Sequence, residues 1–172
     1  FAVIEDVLPP IFAKYGNYDR ASGAPFMRIP YLEAMEKYGT DKPDLRIDFT
    51  LQDATEVLSD IGFDPFKDQN IEVCVVSDFA ATRKQIDALI ADVEVQTAQK
   101  TYWFRMDEQG EIVGGISKFV APFKEKVVNA LDLKPGYFVG IAAGNKATAL
   151  KTAGVMRSKL GILCPDHMDK EQ

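Results

Sequence analysis

Hydrophobic spacing divides the chain into two stretches of different clarity. At the start Phe1, Ile4, Val7, Leu8, Ile11 and Phe12 recur at helical intervals, the mark of an amphipathic helix. Pro9 and Pro10 fall inside that run. Because proline removes a backbone donor and crowds the preceding turn, the spacing predicts one helix to about Leu8 and a second turn from Pro10. A glycine-containing polar loop over 15–25 and a brief extended piece over 26–29 come next. Tyr31 to Tyr38 reads as a helix with Leu32 and Met35 inward, stopped by Gly39. Residues 47–51 alternate apolar and polar, the half-buried strand pattern. A short helix over 53–60 would bury Val57 and Leu58, and 62–70 is rich in turn residues.

Beyond residue 70 the pattern is cleaner. Ile71-Glu72-Val73-Cys74-Val75-Val76 is mostly β-branched and reads as the strongest strand. Thr82-Arg83-Lys84-Gln85 has the form of a capping box, and Ile86, Leu89, Ile90 and Val93 continue it as one apolar helical stripe. Residues 101–106 and 111–116 flank Asp107-Glu108-Gln109-Gly110, which predicts a hairpin. After a connecting turn over 117–121, Pro122 suits a first helical position, with Phe123, Val127, Val128 and Leu131 inward. Residues 137–143 form a buried strand. Asn145 caps a last helix whose inner face is Ala149, Leu150, Ala153, Met156 and Leu160 and whose end is Gly161. Cys164-Pro165-Asp166-His167 and the charged tail read as a truncated exit strand. The order strand, helix, hairpin, helix, strand, helix predicts an α+β fold: a two-layer domain with a mainly antiparallel sheet packed by helices, plus an N-terminal helical connector. The expected divisions are 1–69, 70–163 and 164–172.

Composition narrows the chemistry. With 172 residues, 47% of them hydrophobic, the chain can bury a sizeable core, and no apolar run approaches the roughly 20 residues that cross a bilayer. The N-terminus lacks the pattern of a signal peptide, and it opens on Phe1 rather than Met, as an excised piece of a longer protein, or a processed chain, would. Cys74 and Cys164 form no CxxC pair, and Cys74 lies in an apolar strand, as a small buried hydrophobe would. The single histidine, His167, sits in a polar tail, so neither a metal cluster nor a nucleophile–histidine pair is indicated. A reduced, cytoplasmic, cofactor-free unit is expected. The net charge of −6 is uneven: residues 1–80 hold 7 Lys/Arg against 15 Asp/Glu, and the rest 13 against 11. Such acidity argues against a freestanding binder of nucleic acid that works by counterion release, though not against a module carried to RNA by a larger body.

One stretch is too polar for a core element and too specific for a plain connector: Tyr38-Gly39-Thr40-Asp41-Lys42-Pro43-Asp44-Leu45-Arg46. Gly39 offers a helix stop and Pro43 biases Lys42 away from helix, giving an extended loop that carries two carboxylates and two cations. Together with Arg28-Ile29-Pro30-Tyr31-Leu32-Glu33-Ala34-Met35 it resembles the segment that follows the second class II motif of bacterial aspartyl-tRNA synthetases. Thr40 stands where Ser is usual, and Pro9-Pro10 departs from the family's opening helix. Thr82-Arg83-Lys84-Gln85-Ile86-Asp87, Gly114-Gly115-Ile116-Ser117-Lys118-Phe119 and Ala142-Ala143-Gly144-Asn145-Lys146 resemble the inserted GAD domain of that family, which tRNA-dependent amidotransferase subunits share.

For the parent, the resemblance implies ATP-dependent activation of aspartate and transfer to tRNA, with ATP and Mg²⁺ as cofactors, a cytoplasmic location and a homodimer. The family's Phe-Arg-Asp-Glu and Gly-x-Gly-x-x-Arg stretches are missing from this chain, and no equivalent of its aspartate-binding Gln-x-Asp stretch appears, Gln85-Ile86-Asp87 belonging to the GAD-like run, so no catalytic residue is assigned and the piece alone is expected to be inactive. Its implied work is as a scaffold or an accessory tRNA contact, with the remainder of the catalytic domain as its partner. Asp41, Lys42, Asp44 and Arg46 would form a mobile loop near the parent's active site, finding partners on the absent body. Arg83, Lys84 and Lys146 are candidate tRNA contacts. Against this, Gly144 and Asn145 suffice as a strand-to-helix turn and cap, and Arg83 and Lys84 could be a solvated helix end, although a first turn is a poor place for cations. Lys118, Lys124 and Lys126 read as a solvated face, and Tyr102, Trp103 and Phe104 as packing rather than base stacking. Two other readings stay open: a GAD module of an amidotransferase, and a small amino-acid-binding regulatory domain.

Overall fold

The computed structural model describes residues 1–16 and 24–169; most of the loop expected over 15–25, and the final three residues of the tail, fall outside them. Among the described residues, β1 (Leu51–Asp53), β2 (Asn70–Val76), β3 (Thr101–Met106), β4 (Ile112–Val113) and β5 (Phe138–Gly144) form one sheet in the order β1-β2-β5-β3-β4. Every pairing is antiparallel. The fold is α+β. Val73 faces Ile141 across the central pair, and Trp103 faces Gly140 on the other side of β5.

Alternation along these strands separates two cores. Ile71, Val73, Val139, Ile141, Phe104 and Met106 point to one face. That face is closed by the short helices α3 (Thr55–Leu58), α5 (Ser117–Val120) and α6 (Lys124–Leu131), with Leu58, Val120, Val127 and Leu131 buried. Cys74, Val76, Phe138, Ala142 and Trp103 point to the other face. There they meet the two long helices, α4 (Arg83–Thr97) and α7 (Lys146–Leu163). The central strands are therefore apolar on both sides apart from Glu72 of β2. Gly140 lets the sheet approach α7, since a Cβ on it would come 2.4 Å from the Met156 sulfur.

Local signals are realised where they are strongest. Thr82 and Gln85 complete the capping box at the start of α4, and Asn145 Oδ1 accepts from the Thr148 N–H at 2.9 Å to cap α7. Other expectations are corrected. α1 (Ala2–Tyr15) runs through Pro9 and Pro10 without a break; it forgoes two backbone bonds and still closes with Gly16 N–H on Phe12 O. None of its residues is buried. In α2 (Tyr31–Tyr38), Ala34 is buried while Leu32 is exposed, because this helix presents its small side to α7. The 47–51 strand is displaced to Leu51–Asp53, since carbonyls before it are taken by Arg157, described below. Phe123 is exposed; Pro122 sits in a 3₁₀ turn (Ala121–Phe123) ahead of α6. Gly161 does not end α7, which continues to Leu163. The residue is glycine because Ile47 packs on it, 2.5 Å from where a Cβ would sit. Among the described residues, no helix is long and apolar enough to cross a membrane.

Candidate functional site

The polar loop after α2 is held at both ends by two successive turns of α7. Gly39 adopts φ +69° as the C-cap of α2. A Cβ there would lie 2.2 Å from Leu150 O, and a Cβ on Gly154 would lie 2.7 Å from Gly39 O. Backbone thus packs on backbone. Three residues further along α7, Arg157 is 1% exposed. Its Nε donates to Phe49 O at 2.7 Å, and one terminal nitrogen donates to Asp44 O and Ile47 O at 3.1 and 3.0 Å. The guanidinium lies over the Tyr38 ring at 4.9 Å. Burial lowers its pKa below the usual value.

Within that loop the charges pair locally. Asp44 receives Arg46 Nε at 2.9 Å and its Nη2 at 2.7 Å, a bidentate contact that holds the carboxyl below its ordinary pKa. Lys42 approaches its neighbour Asp41 only loosely, at 3.5 Å, and both are exposed. Asp44 and Arg46 thus have each other as partners within this chain, while the backbone beneath them is held from more than a hundred residues away by Arg157.

Where the loop ends, the chain pairs with its own C-terminal segment. Asp48 N–H donates to His167 O and Asp169 N–H to Arg46 O, and Ile47 bridges Met168 in antiparallel fashion. The expected exit strand is this single bridge, preceded by a 3₁₀ turn, Pro165–His167. His167 secures the junction, and sequence reading missed it. Nδ1 lies 2.9 Å from Asp48 Oδ1, Nε2 lies 2.8 Å from Ser77 O, and the Phe49 ring meets the imidazole edge-on. Burial disfavours the imidazolium, but the Ser77 carbonyl and the Asp48 carboxylate outweigh that and raise the pKa. A polar cleft of about 460 Å³ opens beside it, lined by Asp78, Gln85, Cys164 and Asp166 among others.

The candidate RNA contacts lie elsewhere. Arg83 bonds Asp87 at 2.8 Å and stacks over Trp103 at 5.1 Å, so a first-turn cation has both a carboxylate and a π-face to offset the helix dipole. Lys84 is exposed. Lys146, at the first position of α7, bonds Glu72 at 2.7 Å and Asp53 at 3.1 Å. Glu72 is 2% exposed and lies opposite Asp53 in the β1–β2 register. Burial raises its pKa, and Lys146 works against that rise. An anion approaching Lys146 would have to compete with two carboxylates. Trp103 and Phe104 are buried and Tyr102 packs against Phe63 and Phe66, so these aromatics are core. Cys74 is fully buried, its thiol pushed up to about 12.

Comparison with known proteins bears on the whole arrangement. The GAD domain family profile matches residues 67–153, about half of the chain. Over 159 residues, 91% of its length, the chain is 35% identical to an aspartate–tRNA ligase of Streptomyces griseus and spans 26% of that protein. It is 34% identical over 168 residues to an aspartate–tRNA(Asp/Asn) ligase of Rickettsia prowazekii, spanning 28% of it. It is 33% identical over 166 residues to an aspartate–tRNA ligase of Clostridium novyi, again spanning 28%. The chain thus covers about a quarter of the length of these curated relatives. Because the similarity takes in more than nine-tenths of the chain, it reaches upstream of the GAD match and includes the loop at 39–46.

Proposed function

Because the chain belongs to the GAD domain family, we propose that it is the insertion of a bacterial aspartate–tRNA ligase together with the stretch of catalytic domain from which that insertion emerges. One observation carries this reading: the incoming segment 46–48 and the outgoing segment 167–169 are hydrogen-bonded to each other. A domain inserted into a host must leave and rejoin at one place, and paired strands are how a chain makes such a neck. On this reading the neck, rather than residue 70, bounds the inserted unit, and residues before 46 lie on the host side.

The host side supports the same reading. Phe1 ahead of α1, Ile4, Ile11 and Phe12 on α1, and Tyr31 and Leu32 on α2 are exposed. Large apolar side chains left exposed on two successive helices are surface that a soluble body ordinarily covers. We assign its cover to the remainder of the synthetase's catalytic domain. Aspartate activation requires cations and Mg²⁺-holding carboxylates around a nucleotide. Among the described residues no group of three or more His, Cys, Asp or Glu side chains could hold a metal ion, and Asp44 and Arg46 are paired with each other. We place ATP and Mg²⁺ on the remainder of the parent, because the family's nucleotide-binding stretches are missing from this chain. The chain's own part is then scaffolding, with Arg83 and Lys84 as an accessory, salt-sensitive contact to tRNA. A cytoplasmic, homodimeric parent follows from kinship alone. A GAD module of an amidotransferase would account for residues 67–153 but gives no reason for aspartate–tRNA ligases to match the loop upstream.

The test is ATP–pyrophosphate exchange. The full-length protein carrying this chain is expected to exchange in an aspartate-dependent manner, and the 172-residue piece to show none. A full-length protein inert toward aspartate, or robust exchange by the purified piece, would overturn the reading.

A further inference from the structure

Arg157 is expensive for what it contributes to packing. Its guanidinium is taken out of water, yet among the described residues it makes no ion pair; its partners are three backbone carbonyls and the faces of Tyr38 and Phe49. A methionine there would fill the same volume without burying a charge, at the cost of leaving the carbonyls of Asp44, Ile47 and Phe49 without their donor. What a methionine cannot do is choose a backbone path. A planar fork with fixed donor directions is satisfied by only one arrangement of the carbonyls it meets.

The carbonyls concerned belong to residues 44, 47 and 49, the outgoing half of the polar loop. Its incoming half is fixed one turn earlier on the same helix, where Gly39 rests on Leu150 and Gly154. Two successive turns of α7, from Leu150 to Arg157, therefore hold both ends of a loop that α7 is not next to in sequence. Asp44, whose carbonyl Arg157 holds, orients Arg46 through its carboxylate.

We infer that Arg157 is a positioning residue: from inside the inserted domain it sets the conformation of loop 39–49, and through it the placement of Asp41, Lys42, Asp44 and Arg46 toward the parent's catalytic body. The placement toward that body rests on the reading proposed above; the setting of the loop does not. The device gives the insertion a direct hold on the active-site side of the neck, beyond its work as a scaffold.

Two measurements separate these parts. In the 172-residue chain, Arg157→Met is expected to leave the amides of β2 and β5 as protected from hydrogen exchange as before. Exchange across 39–49, and tryptic cleavage after Arg46, should rise by roughly tenfold or more. Arg157→Lys, a point charge that can reach fewer of the carbonyls, should fall between. Unchanged protection of 39–49 in Arg157→Met, or loss only in step with β2 and β5, overturns the inference. In the full-length protein, Arg157→Met should lower kcat/KM for aspartate-dependent exchange assayed well below its thermal midpoint, where the protein is fully folded, with partial recovery in Arg157→Lys. Full activity in Arg157→Met refutes the link to catalysis, whereas an inert wild type counts against the synthetase reading and leaves the loop measurement standing.

Discussion

Lys146→Met isolates the most heavily buried charge in the sheet. In the folded chain Glu72 is 2% exposed, receives Lys146 Nζ at 2.7 Å and lies opposite Asp53. Removing one partner of a buried pair costs about 3–5 kcal/mol when the other is left dry. Here the lysine side chain is 46% exposed, so water can follow into the space it leaves, and a loss of about 2–3 kcal/mol at pH 7.5 is the discounted expectation. For a chain of this size each kcal/mol moves the thermal midpoint by about 2–4 °C, which gives a fall of roughly 5–10 °C. The pH dependence identifies the cause. Burial already raises the Glu72 pKa above its ordinary 4.5, Lys146 restrains the rise, and Asp53 and Glu36 add to it; without the lysine it climbs further. A carboxyl whose folded pKa is raised binds more protons folded than unfolded, so stability falls as pH rises from about 4.5 toward the folded value. The deficit of Lys146→Met should therefore be small at pH 5 and large at pH 7.5, and adding Glu72→Gln should restore most of it. Urea and thermal unfolding at the two pH values read this directly. Equal deficits at both pH values, or no rescue by Glu72→Gln, would refute the account and return Lys146 to consideration as an anion contact.

Two further outcomes test the junctions of α7 and the neck. His167 faces an acceptor from each ring nitrogen, an arrangement only the imidazolium satisfies on both sides. With its folded pKa raised above 6.5, its contribution is full below about 6.5 and is lost as pH rises through the folded pKa; the urea midpoint should fall between pH 6 and pH 8.5 in the native chain, and a fall of the same size in His167→Gln would show that the histidine is not its source. Gly154→Ala sets a Cβ 2.7 Å from Gly39 O and 2.8 Å from its carbonyl carbon, backbone atoms that cannot step aside, and should cost about 1–3 kcal/mol in thermal unfolding; a native-like midpoint would mean the contact yields more easily than its geometry implies.

Features that depend on neighbours in sequence were legible before the fold was in hand. The Thr82–Gln85 capping box, the Asn145 cap, the strand at 70–76 and the stripe of Ile86, Leu89 and Val93 each arise from residues within a few positions of one another, and each is present. Features set by distant partners were not. The alternation at 47–51 promised a strand, but Arg157 takes the carbonyls of Ile47 and Phe49, and pairing with β2 begins only at Leu51. Gly161 has the look of a helix stop because glycine is also what close packing demands, and here Ile47 makes the demand. Lys146 at a helix start after a glycine-rich turn suggested an anion site; only the register that sets Glu72 beside Asp53 reveals why a cation is needed there. His167 gave no signal at all, since both of its partners lie ninety or more residues upstream.

The pairing of Ile47 with Met168 has a consequence for how such a unit can be acquired or lost. A protein that carries it sees two chain positions standing about one interstrand spacing apart, roughly 5 Å, which a short turn could close without moving anything else. Everything between those positions, sheet and long helices alike, is then removable cargo as far as the host backbone is concerned. What would not survive the excision is Arg157. The loop it shapes lies on the host's side of the cut, so a host that shed the domain would keep the sequence of that loop and lose the reason for its conformation.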